Sequence, residues 1–410
     1  MSELALRALS AAGLAGIGVI AWLCGVDRRR VPWRVIGWGL GLQLALGAML
    51  LRTEVGRRFF VAMNDAVDGL IQFTDAGTSF VFGSLRSTGF SFALEVLPII
   101  VFMGSLFGIL YHLRLVQWLV AVLARGLARS MGLSGAESLS TVANIFVGMV
   151  EAPMMVRPYL ERMTRSELFC VMVTGMASIA GSVLVAYAKM LGQAEYAGHL
   201  VTASFLSAPA GVLVAKLMVP ETETPVTSSA GGALSAPSSV NLIDAAAEGA
   251  TAALKLAAYV GALLIAFVAL IAMANAGVAA LGRLAGVEGL TLQRIFGFAF
   301  APLALLMGIA PADALDVGGL LGLKTVLNEF LAYQDLAQQI ANGAISHRSA
   351  VIASYGLCGF ANFGSLAILI GGMGGMAPSR RGDIATLGVR SIVAGTLASA
   401  MTGCVAGIFL

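Results

Sequence analysis

Charged residues are scarce in this chain of 410 residues, of which only 11% are Asp, Glu, Lys or Arg. An ordinary soluble domain has about 25% charged residues. Hydrophobic residues make up 58% of the chain, and the formal net charge of +3 gives no indication of nucleic acid as a partner. The composition therefore excludes an ordinary soluble domain and predicts a polytopic membrane protein.

Cysteine and histidine are also rare, and neither forms a metal-binding pattern. The chain has three histidines, which do not cluster, and four cysteines without a CxxC pair. This arrangement argues against a zinc site and favours free thiols in apolar surroundings. The cysteines are Cys24, Cys170, Cys358 and Cys404.

Glycine, by contrast, occupies 50 of 410 positions, well above the roughly 7% of an average protein. Excess glycine is typical of close helix packing and of broken helices in a bilayer. Apolar runs that approach the length of a membrane-spanning helix, about 17–25 residues, indicate an all-α protein with eight spans. They cover residues 4–24, 34–51, 91–121, 166–190, 198–218, 252–276, 348–372 and 384–410.

Several stretches between these runs lack the continuous apolar pattern of a membrane-spanning helix. In residues 57–75, apolar side chains recur at helical spacing among charged ones, which predicts an amphipathic helix at the membrane surface. Residues 220–247 are rich in Pro, Ser, Thr and Gly, which predicts a solvated linker after the fifth span. Residues 131–161 and 313–343 are apolar but interrupted by polar residues, glycine or proline.

Basic residues predict the orientation of the chain. The segment before the first apolar run has no basic residue, so the run is interpreted as a membrane helix and not as a signal peptide. Arginines follow the first and third spans and precede the fourth and the last, and they favour the inner side. Both termini are then expected outside, and the compact loops favour a bacterial inner membrane.

Two glutamates lie in the interrupted stretches. Glu151 occurs in Asn144-Ile-Phe-Val-Gly-Met-Val-Glu-Ala-Pro153, and Glu329 occurs in Leu327-Asn-Glu-Phe-Leu-Ala-Tyr333. A carboxylate at membrane depth is costly and marks a binding site or an ion path. The arm before each glutamate has about ten residues and is too short to cross a bilayer, so each stretch is predicted to form a re-entrant hairpin.

The two hairpins are related by their position in the chain. Each precedes a span that small and polar residues interrupt midway, which is tolerated only where the backbone is buried in protein or lines a cavity. Three spans separate the hairpins, so they enter from opposite sides and form an inverted repeat with a site near the midplane. The first repeat covers residues 131–218, with hairpin 131–161 and broken span 166–190. The second covers residues 313–410, with hairpin 313–343 and broken span 348–372.

These motifs resemble those of the concentrative nucleoside transporters. The matching strings are Asn144-Ile-Phe-Val-Gly148 with Glu151-Ala-Pro153, Arg157-Pro-Tyr-Leu160, Asn328-Glu-Phe330 with Ala332-Tyr333, and Gly359-Phe-Ala-Asn-Phe363 with Ser365. The likeness runs from about residue 91 to the C-terminus, preceded by an extension over the first two spans. Together the strings are specific, whereas any one alone is weak.

The resemblance implies an elevator-type symporter that imports nucleosides and assembles as a homotrimer in the bilayer. Residues 1–121, which include the surface helix, and the span 252–276 would form a scaffold. The two repeats would form the mobile transport domain. The coupling ion would be sodium, or a proton as in some members of the family.

The resemblance also implies the roles of individual residues. Glu329 matches the carboxylate that binds the ribose hydroxyls, and Asn362 and Ser365 match residues that bind the sugar. Phe360 matches an aromatic residue beside the base, and Glu151 matches a hairpin-tip carboxylate that contacts the base.

The same comparison implies a sodium site in the first repeat. Its ligands would be the side chains of Asn144 and Ser178 and the backbone carbonyls of Val147 and Ile179, since hard oxygen ligands suit a small cation. Lys324, one helical turn before Asn328, is interpreted as a charge offset or a structural partner for Glu329.

The chain departs from the family pattern at the first hairpin tip. Met149 and Val150 stand where the family usually has a polar pair that bonds the base edge, and Tyr259 stands where many relatives have Asn. A site without polar groups loses its main means of discriminating between bases. The pocket is therefore expected to prefer a more apolar or larger base, a modified nucleoside, or a non-nucleoside that keeps a ribose-like diol.

An enzyme is the alternative to a transporter. Glu151 and Glu329 could form the acid–base pair of an intramembrane hydrolase. The sequence has no HExxH motif, no GxSxG motif and no nucleophile–base constellation, so we expect the protein not to be an enzyme.

Overall fold

The computed structural model describes residues 2–88, 91–192, 195–227, 239–284 and 286–410. Within these ranges the regular structure is helical, with α-helices and two short 3-10 turns, Gly83–Thr88 and Pro378–Arg380. In chain order the α-helices are α1 Glu3–Leu23, α2 Trp33–Arg52, α3 Glu54–Phe82, α4 Phe92–Glu95, α5 Leu97–His112, α6 Leu115–Met131, α7 Gly135–Phe146, α8 Glu151–Met154, α9 Arg157–Leu160, α10 Arg165–Ala177, α11 Gly181–Leu191, α12 Glu195–Met218, α13 Leu242–Leu284, α14 Leu292–Leu306, α15 Ala314–Val326, α16 Glu329–Ala341, α17 His347–Leu357, α18 Phe363–Met376 and α19 Arg381–Phe409.

Seven helical segments of the described residues are long and apolar enough to cross a membrane. They are α1, α2, α4 with α5, α10 with α11, α12, α13, and α19 with the turn before it. The eighth predicted span, 348–372, consists of two helices, α17 and α18, which are interrupted over residues 358–362. The prediction of an all-α polytopic membrane protein with two broken spans is confirmed.

The predicted span 91–121 is wrong in its extent. Helix α5 ends at His112, and Arg114 has a φ of 59° before α6 begins at Leu115. A left-handed conformation at a residue with a Cβ ends a regular helix. The third span is therefore Phe92–His112, and residues 115–121 belong to a separate helix that leads to the first hairpin.

Two other predicted boundaries also fall at the wrong residues. Helix α13 is 43 residues long, which at the helical rise corresponds to about 65 Å, far more than the roughly 30 Å hydrocarbon core. It begins at Leu242, inside the predicted linker 220–247, because the alanines after Asp244 favour helix; residues 228–238 of that linker lie outside the described ranges. The predicted surface helix 57–75 is α3, which has 29 residues.

Packing divides the helices into an interior group and a peripheral group. In α10–α11 and in α12, 89% of the most apolar stretch of the helix is buried within the chain. The corresponding shares are 22% in α4–α5 and 17% in α13. Helix α5 packs against α13, while α1 and α2 pack against α12 and α19. Helices α5 and α13 thus lie at the periphery, and α10, α11, α12 and α19 form the interior.

Both predicted hairpins are present. Helix α7 leads to a tip at residues 147–150, and the chain returns as the short helices α8 and α9. Helices α15 and α16 form the second hairpin. Helix α7 begins with a capping box, in which Ser134 Oγ accepts from the Glu137 N–H at 3.2 Å and Glu137 Oε2 accepts from the Ser134 N–H at 3.1 Å. Such a box satisfies two amides that the helix start leaves unpaired.

A buried charge cluster fixes the base of the first hairpin. Lys216, 4% exposed, forms an ion pair with Glu137, 1% exposed. Its ammonium nitrogen also lies 3.6 Å from Glu221 Oε2 and donates to Ser166 Oγ at 2.9 Å. The cluster ties the end of α12 to the starts of α7 and α10, and a buried lysine requires partners of this kind.

The two broken spans contact each other at their breaks. A Cβ on Gly359 would lie 2.8 Å from the carbonyl oxygen of Met176 and 2.8 Å from Ser399 Oγ. Gly359 lies in the break between α17 and α18, and Met176 lies in the last turn of α10. Only glycine permits this approach, which brings the unwound backbone of both repeats to one place in the interior.

Candidate substrate and ion site

Glu329 is held at the start of α16. It is the first residue of the helix, is 3% exposed, and follows the N-cap Asn328, whose side chain accepts from the Leu331 N–H at 2.9 Å. A helix N-terminus carries partial positive charge and stabilises a carboxylate there. The hairpin turn thus places a buried carboxylate in the interior of the protein.

Both oxygens of Glu329 already accept one hydrogen bond. Tyr187 donates its hydroxyl to Oε1 at 2.9 Å, and Asn362 donates Nδ2 to Oε2 at 2.8 Å. An ionised carboxylate has about four acceptor positions. Each oxygen therefore keeps capacity for one further donor, which suits a ligand with two adjacent hydroxyl groups.

Asn362 and Ser365 stand together at the start of α18. Asn362 is the N-cap of this helix and is 1% exposed, and its Oδ1 accepts from the Ser365 N–H at 2.7 Å. Because Oδ1 is used for the cap, Nδ2 faces Glu329. The structure thus joins Glu329, Asn362 and Ser365 directly, and it leaves Phe360 half-buried in the break before α18.

Sequence reasoning missed Tyr187 on α11. Its ring stacks on Tyr333 with centroids 4.5 Å apart and meets the edge of Phe330 at 4.8 Å. The Tyr333 hydroxyl donates to the carbonyl of Ser354 at 2.8 Å. The available signal was a single tyrosine in the otherwise largely aliphatic half of the first broken span, but nothing local to it indicates which carboxylate it contacts.

At the tip of the first hairpin, the apolar side chains pack into the protein and the carboxylate of Glu151 is exposed. Met149 is 7% exposed and packs against Gly175. A Cβ added to Gly175 would lie 3.2 Å from the Cβ of Met149. Val150 packs against Gly372 of α18 in the same way. Glu151, in contrast, is exposed, and its carboxylate folds over Gly148. Glu151 and Glu329 thus differ sharply in environment.

Asn144 and Ser178 meet at the end of α10, as the sequence predicted. The Asn144 side chain, 3% exposed, donates to the Thr174 carbonyl and to Ser178 Oγ, each at 2.5 Å. Ser178 Oγ also lies 3.3 Å from the Asn144 carbonyl and 3.2 Å from the Thr174 carbonyl. Amide oxygen and nitrogen are nearly indistinguishable by shape, so a half-turn of the Asn144 amide presents its oxygen instead.

This oxygen-rich cluster fits a small hard cation. Val147 ends α7 in an extended conformation, and Ile179 lies fully buried in the break after α10. Carbonyls that a helix leaves unpaired at its C-terminal end carry partial negative charge. Side-chain and backbone oxygens at a helix end and an unwound span are the donor set that sodium prefers.

Lys324 lies at the corresponding place in the second hairpin. It is fully buried, and its ammonium donates to the Gly356 carbonyl at 2.9 Å. The ion pairs found within 4.0 Å among the described residues do not include Lys324. The ammonium therefore forms no ion pair with Glu329 within 4.0 Å, and the two charges interact only over a longer distance.

Comparison with known families accounts for nearly the whole chain. Residues 12–85 match the model for the N-terminus of Na+ dependent nucleoside transporters, and residues 199–407 match the model for their C-terminus. Residues 93–194 match a model described as nucleoside recognition.

Individual relatives extend over the same region. An uncharacterized transporter YutK of Bacillus subtilis is 43% identical over 97% of this chain and 98% of its own length. An uncharacterized transporter of Haemophilus influenzae is 44% identical over 97% of this chain and 96% of its own length. Human solute carrier family 28 member 3 is 42% identical over 98% of this chain, which spans 59% of that longer protein.

Solved structures of CNTnw share the fold. An inward-facing, substrate-bound state has a TM-score of 0.92 and 42% identity and covers 100% of this chain and 98% of its own. A substituted form in an outward-facing state has a TM-score of 0.94 and 41% identity, with 100% and 99% covered. Intermediate states of CNTnw also match.

The fold and the buried polar site define a helical membrane transporter of the elevator type. The chain belongs to the family of concentrative, Na+ dependent nucleoside transporters, as its motifs indicated. Its homologues are transporters and not enzymes, which removes the hydrolase hypothesis.

Proposed function

We propose that this protein imports nucleosides across the membrane by symport with sodium. The observation that carries the proposal is the buried carboxylate of Glu329, whose two oxygens each accept one protein hydrogen bond and keep room for another. A ribose offers two adjacent hydroxyl donors, and a carboxylate offers paired acceptors. Asn362 and Ser365, one helical turn apart or less, complete the sugar side.

The base side of the proposed site is less polar. Glu151 is the exposed carboxylate of the first hairpin tip, and Phe360 is the half-buried aromatic ring of the second repeat. Met149 and Val150 pack against Gly175 and Gly372, and they offer the base no hydrogen bond. We expect weak discrimination between bases, and the alternative substrate is a modified nucleoside or another molecule with a ribose-like diol.

Sodium is the proposed coupling ion, with Asn144, Ser178 and the carbonyls of Val147 and Ile179 as its ligands. The bound ion supplies positive charge between the first hairpin and the first broken span. The buried side chains of Asn144 and Ser178 already join these two elements. A bound ion would therefore affect the position of the hairpin tip through this contact. A proton carried by Glu151 is the alternative coupling ion.

The exposed apolar faces of two helices support a proposal about the assembly. Helices α5 and α13 bury little of their apolar surface within one chain, and large exposed apolar faces mark contact with lipid or with other subunits. We propose a homotrimer built on these helices, with both termini outside. The bacterial relatives favour a plasma membrane.

The test is ligand binding by purified protein, followed as thermal stability and as uptake into proteoliposomes. Uridine, adenosine, guanosine and the free bases are compared in sodium and in choline. We expect the nucleosides to stabilise the protein more in sodium than in choline, because a ligand that binds only the folded state stabilises it by mass action. The free bases lack the diol and should have little effect. A protein that responds to none of the nucleosides would contradict the proposal.

A further inference from the structure

The two hairpins place one polar side chain each at the same helical position. Helix α7 ends at Phe146, two residues after Asn144, and helix α15 ends at Val326, two residues after Lys324. In both hairpins a glutamate then begins the next helix, Glu151 in α8 and Glu329 in α16. Asn144 and Lys324 are therefore counterparts in the inverted repeat.

Both side chains reach the broken span of their own repeat. Asn144 contacts the Thr174 carbonyl in the last turn of α10 and the C-cap residue Ser178. Lys324 donates to the Gly356 carbonyl in the last turn of α17, two residues before the C-cap residue Cys358. The same three parts, a hairpin arm, a helix C-terminus and its cap, meet in each repeat.

The chemistry of the two places differs in one respect. A helix C-terminus and the carbonyls beside it favour a cation. In the first repeat the surrounding side chains, an amide and a hydroxyl, are neutral. In the second repeat a buried ammonium donates to the carbonyl, and its nearest carboxylate interaction is with Glu329 at more than the 4.0 Å of an ion pair. A buried charge of this kind needs compensation, which the helix end provides at contact distance and Glu329 provides from farther away.

We propose that the ammonium of Lys324 acts as a tethered cation at the second repeat's counterpart of the sodium site. The chain then has one exchangeable cation site, in the first repeat, and one that its own side chain fills permanently. This inference rests on the proposed sodium site, and it deepens that proposal by limiting the exchangeable sodium sites of this kind to one per protomer.

Replacement of Lys324 by the residue of the first repeat tests the inference. In Lys324→Asn the shorter amide leaves room for an ion, so sodium should stabilise the protein through two sites. The thermal stability of substrate-free protein is titrated with sodium at constant ionic strength with choline. We expect the slope of the stabilisation free energy against the logarithm of the sodium concentration, measured at saturating sodium, to about double, because each site that binds only the folded protein adds its own term. Lys255→Asn, at an exposed position of α13, is the matched control.

The reciprocal variant is Asn144→Lys, which supplies a tethered ammonium to the first repeat. Sodium should then no longer raise the thermal stability, and choline should support the same stability.

Methylammonium should partly restore the stability of Lys324→Ala, since it fits the space and the charge that are lost.

The outcomes separate the inference from the proposed function. A wild-type protein that sodium does not stabilise contradicts sodium coupling. A wild-type protein with a single-site response, combined with a Lys324→Asn variant that gains no sodium dependence, overturns the tethered cation. A Lys324→Asn variant that does not fold even in saturating sodium also counts against it, because sodium should replace the ammonium.

Discussion

Tyr187 donates its hydroxyl to Glu329 across 2.9 Å, and the two residues are 142 positions apart in the chain. Tyr187 belongs to the broken span of the first repeat, and Glu329 belongs to the hairpin of the second. The bond therefore connects the two repeats at the proposed sugar site. It also fixes one oxygen of the carboxylate while leaving that oxygen able to accept again.

Removal of this hydroxyl is expected to weaken nucleoside binding. In Tyr187→Phe the ring can still stack on Tyr333, but Glu329 loses a donor and its carboxylate is free to turn. A hydrogen bond to a charged group contributes about 1.5–3 kcal/mol, so we expect the dissociation constant to rise roughly tenfold or more. Isothermal titration calorimetry measures it. Tyr333→Phe is the control because its hydroxyl contacts Ser354; equal losses in both variants would contradict a specific role for Tyr187.

Neutralisation of the Glu329 carboxylate should have the largest effect on substrate binding. Glu329→Gln keeps the shape but replaces one acceptor oxygen with a donor, which opposes both Asn362 and a ribose hydroxyl. We expect nucleosides to lose their stabilising effect in a thermal-shift measurement. Glu151→Gln should cause a smaller loss because Glu151 is exposed, and Glu288→Gln, also exposed, should have none. Retained affinity in Glu329→Gln would remove Glu329 from the site.

Truncation of a side chain at the proposed ion site should weaken sodium binding directly and nucleoside binding only indirectly. Asn144→Ala removes one ligand oxygen, so we expect the sodium concentration for half-maximal stabilisation to rise about tenfold, which corresponds to about 1.4 kcal/mol. A sodium titration of thermal stability reports this shift. Asn342→Ala, at an exposed helix end, is the control. An unchanged sodium response would favour protons as the coupling ion.

The charge cluster at the base of the first hairpin should matter for stability. Lys216→Met leaves the buried Glu137 without its partner, which costs about 3–5 kcal/mol. Glu137→Gln should cost less, because Lys216 keeps Glu221 at 3.6 Å. The double variant removes both charges, so its loss should be smaller than the sum of the two single losses. Thermal unfolding of the four proteins gives the coupling. Additive losses would show that the ion pair of Lys216 and Glu137 contributes little.

A methyl group at the crossing of the two breaks should destabilise the fold. The Cβ of Gly359→Ala would lie 2.8 Å from the Met176 carbonyl, and such crowding costs about 1–3 kcal/mol. Gly371→Ala in α18 is the control because its Cβ meets nothing within 4 Å. The melting temperatures of both variants measure the difference. A Gly359→Ala protein as stable as the control would contradict the close contact between the breaks.

The class of protein and the approximate spans could be predicted from the sequence, and so could the closeness of Asn362 to Ser365. Long apolar runs and a shortage of charge are local properties that the bilayer selects. The same holds for Asn362 and Ser365, which are close in the chain, and for the glutamates, which are costly at membrane depth. Helix ends were predicted less well, since the left-handed Arg114 and the early start of α13 depend on backbone conformation and on weak propensities.

The contacts between groups that are distant in the chain could not be predicted and are seen only in the folded protein. Nothing near Tyr187 in the chain indicates that it faces Glu329, and nothing near Lys324 indicates that it caps α17 instead of pairing with that glutamate. The inward packing of Met149 and Val150 is likewise set by Gly175 and Gly372, which lie on other helices. Such contacts depend on how the two repeats fold onto each other, and hydrophobic periodicity specifies which faces are buried but not which buried side chains become neighbours.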